Sequence, residues 1–375
     1  MYIGMDSHGL VQTAPELDAE NLLDLCCGSG IQGLVASRYA SNVTSVDLNP
    51  RAIRFTRFNA QLNGIENIQV HLDDLYAAVE GRRFDTILAN PPFVPSPNEE
   101  YRFRDGGSNG EAILRRIVSE SHHYLNDPGR LFIVTDLVDV DRYKDKLAEW
   151  WHGGPVDQLV LKTADRDDLL FSVPHSHAPF HQGFDSYNLL LEQWIENFHR
   201  EGLTAVNFGY ILLCGSGHHE STYYSRTIHN PTTPMHHHVE RFFDCRRLLN
   251  HGDADKLHLR LNDKVRIRSD DSVNSTRLGT ELHVVDDPFF TTYEVSEFMA
   301  RSILDINRSQ PRFEEITNPE NCRWVTDLLL KGLFQLAPRV RDHTPTQGPA
   351  PQHGPTEITE RETKTTPTCL SSYLN

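Results

Sequence analysis

A doubly wound α/β sheet with a smaller C-terminal α+β domain is the fold class this sequence predicts. Three observations carry it. Short apolar runs alternate with helix-period stretches from residue 21 to residue 214, the pattern of a mostly parallel sheet covered on both faces. A tight turn with Gly28 and Gly30 joins the first apolar run to the first helix. After Cys214 the alternation stops, and a polar, histidine-rich stretch leads into a different pattern.

Residues 21–25 read as a buried strand and 31–39 as the helix after it. The segment 42–49 is a second strand, its last acid Asp47. Pro50 then suits a first helical turn, and a helix over 52–63 is stopped by Gly64. Strands follow at 68–74 and 84–90, then a helix over 110–124 and a strand at 129–137. A helix over 141–151, a strand at 158–164, a helix over 186–202 and a strand at 204–214 complete the series. Beyond it, 215–238 reads as a loop, and 257–268 alternates on either side of Asn262 and Asp263 as a hairpin would. Helices near 293–305 and 319–331 and a short strand within 332–337 finish a small domain of winged-helix-like kind. From 341 the chain is rich in proline and threonine with almost nothing apolar, so a disordered tail is expected. The expected division is therefore 1–214, 215–340 and 341–375. The first strand starts only at residue 21, as it would if an upstream domain had been lost or had never been there.

The 375 residues suffice for one large domain plus a smaller one, and with 38% of them apolar a full core can be buried. No apolar run approaches the length of a membrane span, and no basic-then-apolar leader opens the chain. The six cysteines are scattered apart from the adjacent Cys26 and Cys27, which suits a reducing, cytoplasmic setting. With 36 Lys and Arg against 52 Asp and Glu the formal net charge is -16, which repels polyanions and counts against nucleic acid as the main partner.

Ligands of doubly wound sheets sit at the carboxyl ends of the strands, where the 24–30 turn lies. Its paired cysteines suggest redox or metal chemistry, and its glycines a backbone wrapped around a small molecule. No second Cys or His pair has the spacing to complete a zinc site, so packing is the expected role of both cysteines and no metal is expected. Gly28 and Gly30 admit a ligand without a Cβ clash, and the helix start offers free N–H groups. Asp47 can accept hydrogen bonds from both hydroxyls of a ribose, and Asp74, at the end of the third strand, is placed for an adenine amino group. The six-residue glycine spacing of dinucleotide sites is missing, because Ile31 follows Gly30 and the next glycine is Gly33. A nucleoside ligand without pyrophosphate fits better.

The stretch "ANPPFVPSP" (89–97) follows the fourth strand. Pro91 and Pro92 remove two backbone donors and hold the chain extended, so carbonyls without sheet partners face the cleft. The side-chain oxygen of Asn90 and the carbonyl of Pro91 form a rigid pair of acceptors, able to grip both hydrogens of a planar amino group and aim its lone pair at an electrophile. Phe93 offers a flat surface on which a base, an amide or an aromatic ring can stack.

"DLCCGSG", "VDLNP", "LDDLY" and "NPPF", in this order and spacing, resemble the class I S-adenosylmethionine-dependent methyltransferases that modify amino groups, with their Rossmann-like sheet. Within that class, "NPPFVPSP" followed by "RDGGSNGEAILRRIV" is similar to the small-domain methyltransferases related to the release-factor glutamine methyltransferases. The resemblance covers residues 1–214. It implies that Asp24, Gly28 and Gly30 hold the methionine end of the cofactor, with Cys26 in the same loop. Asp47 with Leu48 would hold the ribose, and Asp74 with Leu75 the adenine. Asn90, Pro91, Pro92 and Phe93 would hold the acceptor, Asn90 touching the cofactor as well, and S-adenosylhomocysteine would be the product. Residues 2–7 match the segment that closes over the cofactor's amino acid, which adds Tyr2, Asp6 and Ser7. Cys26 stands where the usual pattern has its first glycine, and Phe93 where glutamine methyltransferases carry Tyr; Phe also occurs in base-modifying relatives.

The expected chemistry is in-line methyl transfer to a planar amino or amide nitrogen of a peptide, a protein or a small-molecule natural-product intermediate. Hydrogen bonds to Asn90 and Pro91 concentrate electron density on that nitrogen, and a dedicated general base is not required. A nucleic-acid base methyltransferase, with Phe93 and the basic residues of 241–268 in its favour, is the alternative, and the acidic net charge argues against it. Those basic residues are expected to form a solvated face, with a contact to an anionic substrate or RNA as the alternative. A non-catalytic sensor would have no reason to keep the acceptor grip. His71, His122 and His123 read as exposed, and the histidine runs at 218–219 and 236–238 point to alternate faces of an extended chain, which makes joint ligation difficult.

Overall fold

Strands that are apolar on both faces need cover on both sides, and the chain supplies it. The computed structural model describes residues 3–98, 103–176, 183–217, 220–229, 233–270, 279–285, 287–289, 292–316 and 319–338. All fall in the first of two compact units, Met1–Arg339. The second, with the expected tail, lies outside the described residues.

The chain opens with helix α1 (Met5–Thr13), followed by β1 (Ala19–Leu25), α2 (Ile31–Ala36), β2 (Ala40–Asp47), α3 (Pro50–Leu62) and β3 (Ile68–Leu72). Next come β4 (Phe84–Ala89), α4 (Ala112–Glu120), β5 (Leu125–Val138), α5 (Tyr143–Trp150) and β6 (Val156–Arg166). The helical hairpin α6 (Asp168–His175) and α7 (Gly183–Arg200) leads to β7 (Val206–Gly215) and β8 (Thr222–Thr227). These eight strands form one sheet in the order β3-β2-β1-β4-β5-β7-β6-β8. Pairing is parallel except where β7 runs antiparallel to both β5 and β6. The chain leaves the carboxyl end of β6 and re-enters β7 at the same edge, so α6 and α7 stand at the ligand-binding edge of the sheet.

Local chemistry sets the element ends. Asn49 caps α3 by accepting from the N–H of Arg51, with Pro50 in the first turn, and Gly64, in the left-handed region, follows its last turn. One core lies between the sheet and α4 and α5, built on Leu23, Ile87, Leu131, Ile211, Ile117 and Leu147. The other face packs Phe132, Val134, Tyr210 and Leu212 against Leu10 of α1. Each such fully buried side chain stabilises the fold by about 1.5–3 kcal/mol.

The second core continues into the C-terminal elements: α8 (His236–His251), β9 (His258–Leu261), β10 (Val265–Asp270), β11 (Gly279–Val284), β12 (Thr292–Val295), α9 (Glu297–Ser309), α10 (Pro319–Leu330) and β13 (Phe334–Ala337). Strands β10, β11 and β12 form an antiparallel sheet, and β9 pairs antiparallel with β13.

Several sequence expectations need correction. The stretch 215–238 is not a loop throughout: β8 adds a strand to the main sheet, and His236 to His238 lie on α8, where they follow a helix rather than an extended chain. Residues 257–268 do not pair as a hairpin. Asn262 turns the chain, its Oδ1 accepting from the N–H of Lys264, but its Nδ2 is tied to the carbonyl of Gly332. That anchors β9 on β13 and releases β10 to β11. The helix expected near 293–305 begins later, because Ser296 caps it and the residues before form β12. Helices α1 and α6 were not visible in the apolar periodicity. Among the basic residues of 241–268, Arg247, Lys264, Arg266 and Arg268 are exposed, whereas Arg246 is drawn in to the buried Asp157 at 2.9 Å and Arg241 and Arg260 are half-buried.

Candidate active site

The carboxyl edge of β1 carries the glycine turn. Cys26, Gly28 and Gly30 all take positive φ, at 57°, 56° and 84°. Cys26 therefore keeps the loop in the shape a glycine would give it, at a cost of about 1 kcal/mol in backbone strain. A Cβ on Gly30 would meet Thr56 Cγ2 at 2.6 Å, so the turn sits tightly on α3. Cys27 is buried, its Sγ 3.5 Å from Thr56 Oγ1, which makes it a packing residue.

Asp24 is buried beneath this turn. Its Oδ2 accepts from the N–H of Gly33 at 3.1 Å and from Ser45 Oγ at 3.2 Å, while Oδ1 is buried with no hydrogen-bond partner. Burial pushes its carboxyl up to about 7, against the pull of the Gly33 and Ser45 hydrogen bonds, with nearby Asp47 adding to the rise. Gly33 allows this approach, since a Cβ there would lie 2.8 Å from Asp24 Oδ2.

Asp47, at the end of β2, accepts from the N–H of Gly28 at 2.9 Å on Oδ2 and from the N–H of Asn49 at 2.8 Å on Oδ1. Burial raises its pKa and these two N–H groups oppose the rise. Beside it, Leu48 is 61% exposed, an apolar side chain presented to the cleft edge rather than to the core. Asp74 is engaged by Arg116, whose guanidinium reaches both carboxylate oxygens at 3.1 and 3.5 Å. Leu75 is buried with φ 50°.

Past β4 stands Asn90. Its Nδ2 donates to Asp6 Oδ2 at 2.8 Å and to Ser7 Oγ at 3.0 Å. A carboxylate can only accept, so Asp6 dictates which end of the Asn90 amide faces it, and Oδ1 is turned away with no bond among the described residues. The structure thus joins two sequence candidates, Asp6 and Ser7, to the acceptor motif. Tyr2 lies outside the described residues.

The rest of the motif is braced by the segment after it. The N–H groups of Phe93 and Val94 both donate to the carbonyl of Arg104, and Gly106 returns a bond to Val94. A Cβ on Gly106 would lie 2.9 Å from Phe93 Cα and 2.9 Å from the Pro92 carbonyl oxygen; one on Gly110 would lie 2.5 Å from that of Phe93. The glycines after the Asn-Pro-Pro motif are there because the two loops touch backbone to backbone. Phe93 is half-buried, its ring 6.4 Å from that of Phe208. Behind it Val94 packs with Phe171, Trp194 and Phe198 of the α6–α7 hairpin.

Sequence reasoning missed a buried ion pair beside this pocket. Asp136 of β5 lies opposite Phe208 of β7 and meets Arg166, the last residue of β6, at 2.5 Å. Burial pushes the Asp136 carboxyl up to about 6, Arg166 pulling it down and Asp6 pushing it further up. The one signal in the sequence was a carboxylate interrupting the apolar run of β5.

The residues present fit S-adenosylmethionine. The partnerless Asp24 Oδ1 suits a cationic amino group, the glycine turn leaves room and N–H groups, and Asp47 is held by its own backbone donors with lone pairs to spare. Comparisons with known proteins agree. Residues 3–151 match the family model of the methyltransferase small domain. A candidate protein N5-glutamine methyltransferase of Methanocaldococcus jannaschii is 33% identical over 132 residues, 33% of this chain and 66% of that protein. A ribosomal protein uL3 glutamine methyltransferase of Burkholderia pseudomallei is 34% identical over 185 residues, 44% of this chain and 58% of the relative. A release factor glutamine methyltransferase of Thermodesulfovibrio yellowstonii is 27% identical over 125 residues, 30% and 45% of the two chains. The chain thus spans from 45% to 66% of the length of these curated relatives. Over residues 3–151, then, the chain is similar to the methyltransferase small domain, and these curated relatives are named for protein glutamine methylation.

Proposed function

We propose that the protein transfers a methyl group from S-adenosylmethionine to the carboxamide nitrogen of a glutamine in a protein, leaving S-adenosylhomocysteine. The observation that carries this reading is the Asn90 amide, its Nδ2 held by Asp6 and Ser7 so that Oδ1 is presented beside the rigid Pro91 carbonyl. Two fixed acceptors and no donor select an –NH2 group, and a carboxamide is planar enough to lie against Phe93. The curated relatives, named for glutamine methylation, point to the same acceptor class. When bound, the cofactor supplies a methyl on a sulfonium: the nitrogen lone pair forms the new bond to carbon, the carbon–sulfur pair stays on sulfur, and one N–H proton leaves to solvent. Asp24, Cys26, Gly28 and Gly30 would line the amino-acid end of the cofactor, Asp47 and Leu48 the ribose. Asp74 and Leu75 would line the adenine, Asp74 with Arg116 as its neighbour.

No helix among the described residues is long and apolar enough to cross a membrane. The scattered cysteines go with a reducing, cytoplasmic setting. Residues 215–340 are proposed to form the substrate side of the cleft or an interaction module.

The test is Asn90→Ala, with methylglutamine measured by mass spectrometry in proteins of cells lacking the chain and then supplied with it or the variant. The expected loss in rate is on the order of a hundredfold, with cofactor affinity nearly intact. Equal loss of cofactor affinity would move Asn90 from the acceptor to the cofactor side. Methyl transfer to purified nucleic acid in place of protein would overturn the acceptor class.

A further inference from the structure

Asp6 differs from the ion-paired carboxylates around the cleft. Asp136 is matched by Arg166, Asp74 by Arg116 and Asp105 by Arg104. Asp24 and Asp47 accept only from neutral donors of the chain itself, the N–H groups of Gly33, Gly28 and Asn49 and the hydroxyl of Ser45, and Asp24 Oδ1 is left without a partner beneath the glycine turn. Asp6 is half-buried, accepts from the neutral Asn90 amide, and has no Lys, Arg or His paired with it among the described residues. A second carboxylate, Asp136, feels the charge of Asp6 and has its own partner in Arg166. An uncompensated carboxylate therefore sits directly behind the amide that would clamp the acceptor.

We propose that Asp6 reads the charge on the cofactor's sulfur, favouring the sulfonium of S-adenosylmethionine over the neutral thioether of S-adenosylhomocysteine. The inference rests on the function proposed above. In-line displacement places acceptor nitrogen, methyl carbon and sulfur on one line, with the nitrogen about 3 Å from Asn90 Oδ1 and about 3–3.5 Å from the methyl carbon. The sulfur is one bond further on, so its charge would share the cleft with the carboxylate bonded to the other end of the same amide. Partly buried, such a pair attracts far more strongly than it would in water. Transfer then removes the attraction, since sulfur keeps the bonding pair and becomes neutral. Asp6 thus favours loading of the methyl donor and release of the demethylated product.

Calorimetry on the full chain with each ligand in turn tests this. Asp6→Asn removes the charge but keeps an oxygen for Asn90 Nδ2. It should weaken S-adenosylmethionine binding about tenfold or more and S-adenosylhomocysteine binding less than about twofold. Ser7→Ala, which loosens the same anchor without changing charge, should shift both ligands by the same factor. Asp6→Glu, the second variant should Asp6→Asn unfold, should keep the preference within about threefold, because the charge is retained. Equal weakening of both ligands by Asp6→Asn, or no change in either, overturns the charge-reading role while leaving the methyltransferase reading standing. A wild-type chain that binds neither ligand overturns both.

Discussion

Asp24→Asn should make the protein more stable and its cofactor site worse. The carboxyl titrates at about 7 rather than 3.8 because burial strips its water, and the Gly33 and Ser45 hydrogen bonds only partly compensate. Holding it ionised in the folded chain therefore costs about 4 kcal/mol above pH 7. Asparagine keeps one oxygen for Gly33 and Ser45, but its NH2 replaces the partnerless Oδ1 and, as an unpaired buried donor, costs about 1–3 kcal/mol. The net gain is about 1–3 kcal/mol. Its pH dependence follows from the sign of the shift. The folded carboxyl holds its proton more tightly than the unfolded one, so the contribution of Asp24 to stability is full below pH 3.8, falls as the pH rises towards 7, and is level beyond. Urea unfolding of both chains from about pH 4.5 to about pH 8 should give a difference that grows with pH and then levels off. A difference that is the same at every pH would refute the buried-charge argument. The same substitution should weaken S-adenosylmethionine binding measured by calorimetry, since the amino end would meet an amide in place of a carboxylate.

Gly110→Ala forces a Cβ to within 2.5 Å of the Phe93 carbonyl oxygen at φ 75°. It should lower stability by about 2–4 kcal/mol and cut methyl transfer at least about tenfold with calorimetric cofactor affinity unchanged, and an unaltered rate would disconnect this glycine from the acceptor loop. Cys26→Gly should relieve left-handed strain and hold or raise stability by up to about 1 kcal/mol in urea unfolding, the lost side-chain packing offsetting part of the gain. A loss larger than that would mean the Cys26 side chain packs more tightly than its half-buried position indicates.

Local steric codes were legible in the chain. The glycine turn after β1, the Asn49–Pro50 start of α3 and the Pro-Pro break after β4 each act within a few residues, so the strands and loops they bound could be read in order. The hairpin at 257–268 misled for a related reason. Its turn is real, and Asn262 makes it, but which partners the two arms take was decided by Gly332 and β13, some seventy residues on. Helix α6 hid because its exposed side carries Leu169, Leu170 and Val173, so it lacks the polar face that marks an amphipathic surface helix.

By itself the sequence determined the parallel sheet, the place of the glycine turn and the Asn-Pro-Pro-Phe motif, because each rests on backbone sterics and on the spacing of apolar residues. The tertiary structure alone decided that Asp6 reaches Asn90 across 84 positions, that Arg166 shields Asp136, and that Gly106 and Gly110 press on the motif. Those contacts depend on the strand order, which inserts β7 between β5 and β6 and packs α1 over the sheet. Strand order is a property of the whole core, since it is the arrangement that buries every apolar face at once, and no short segment encodes it.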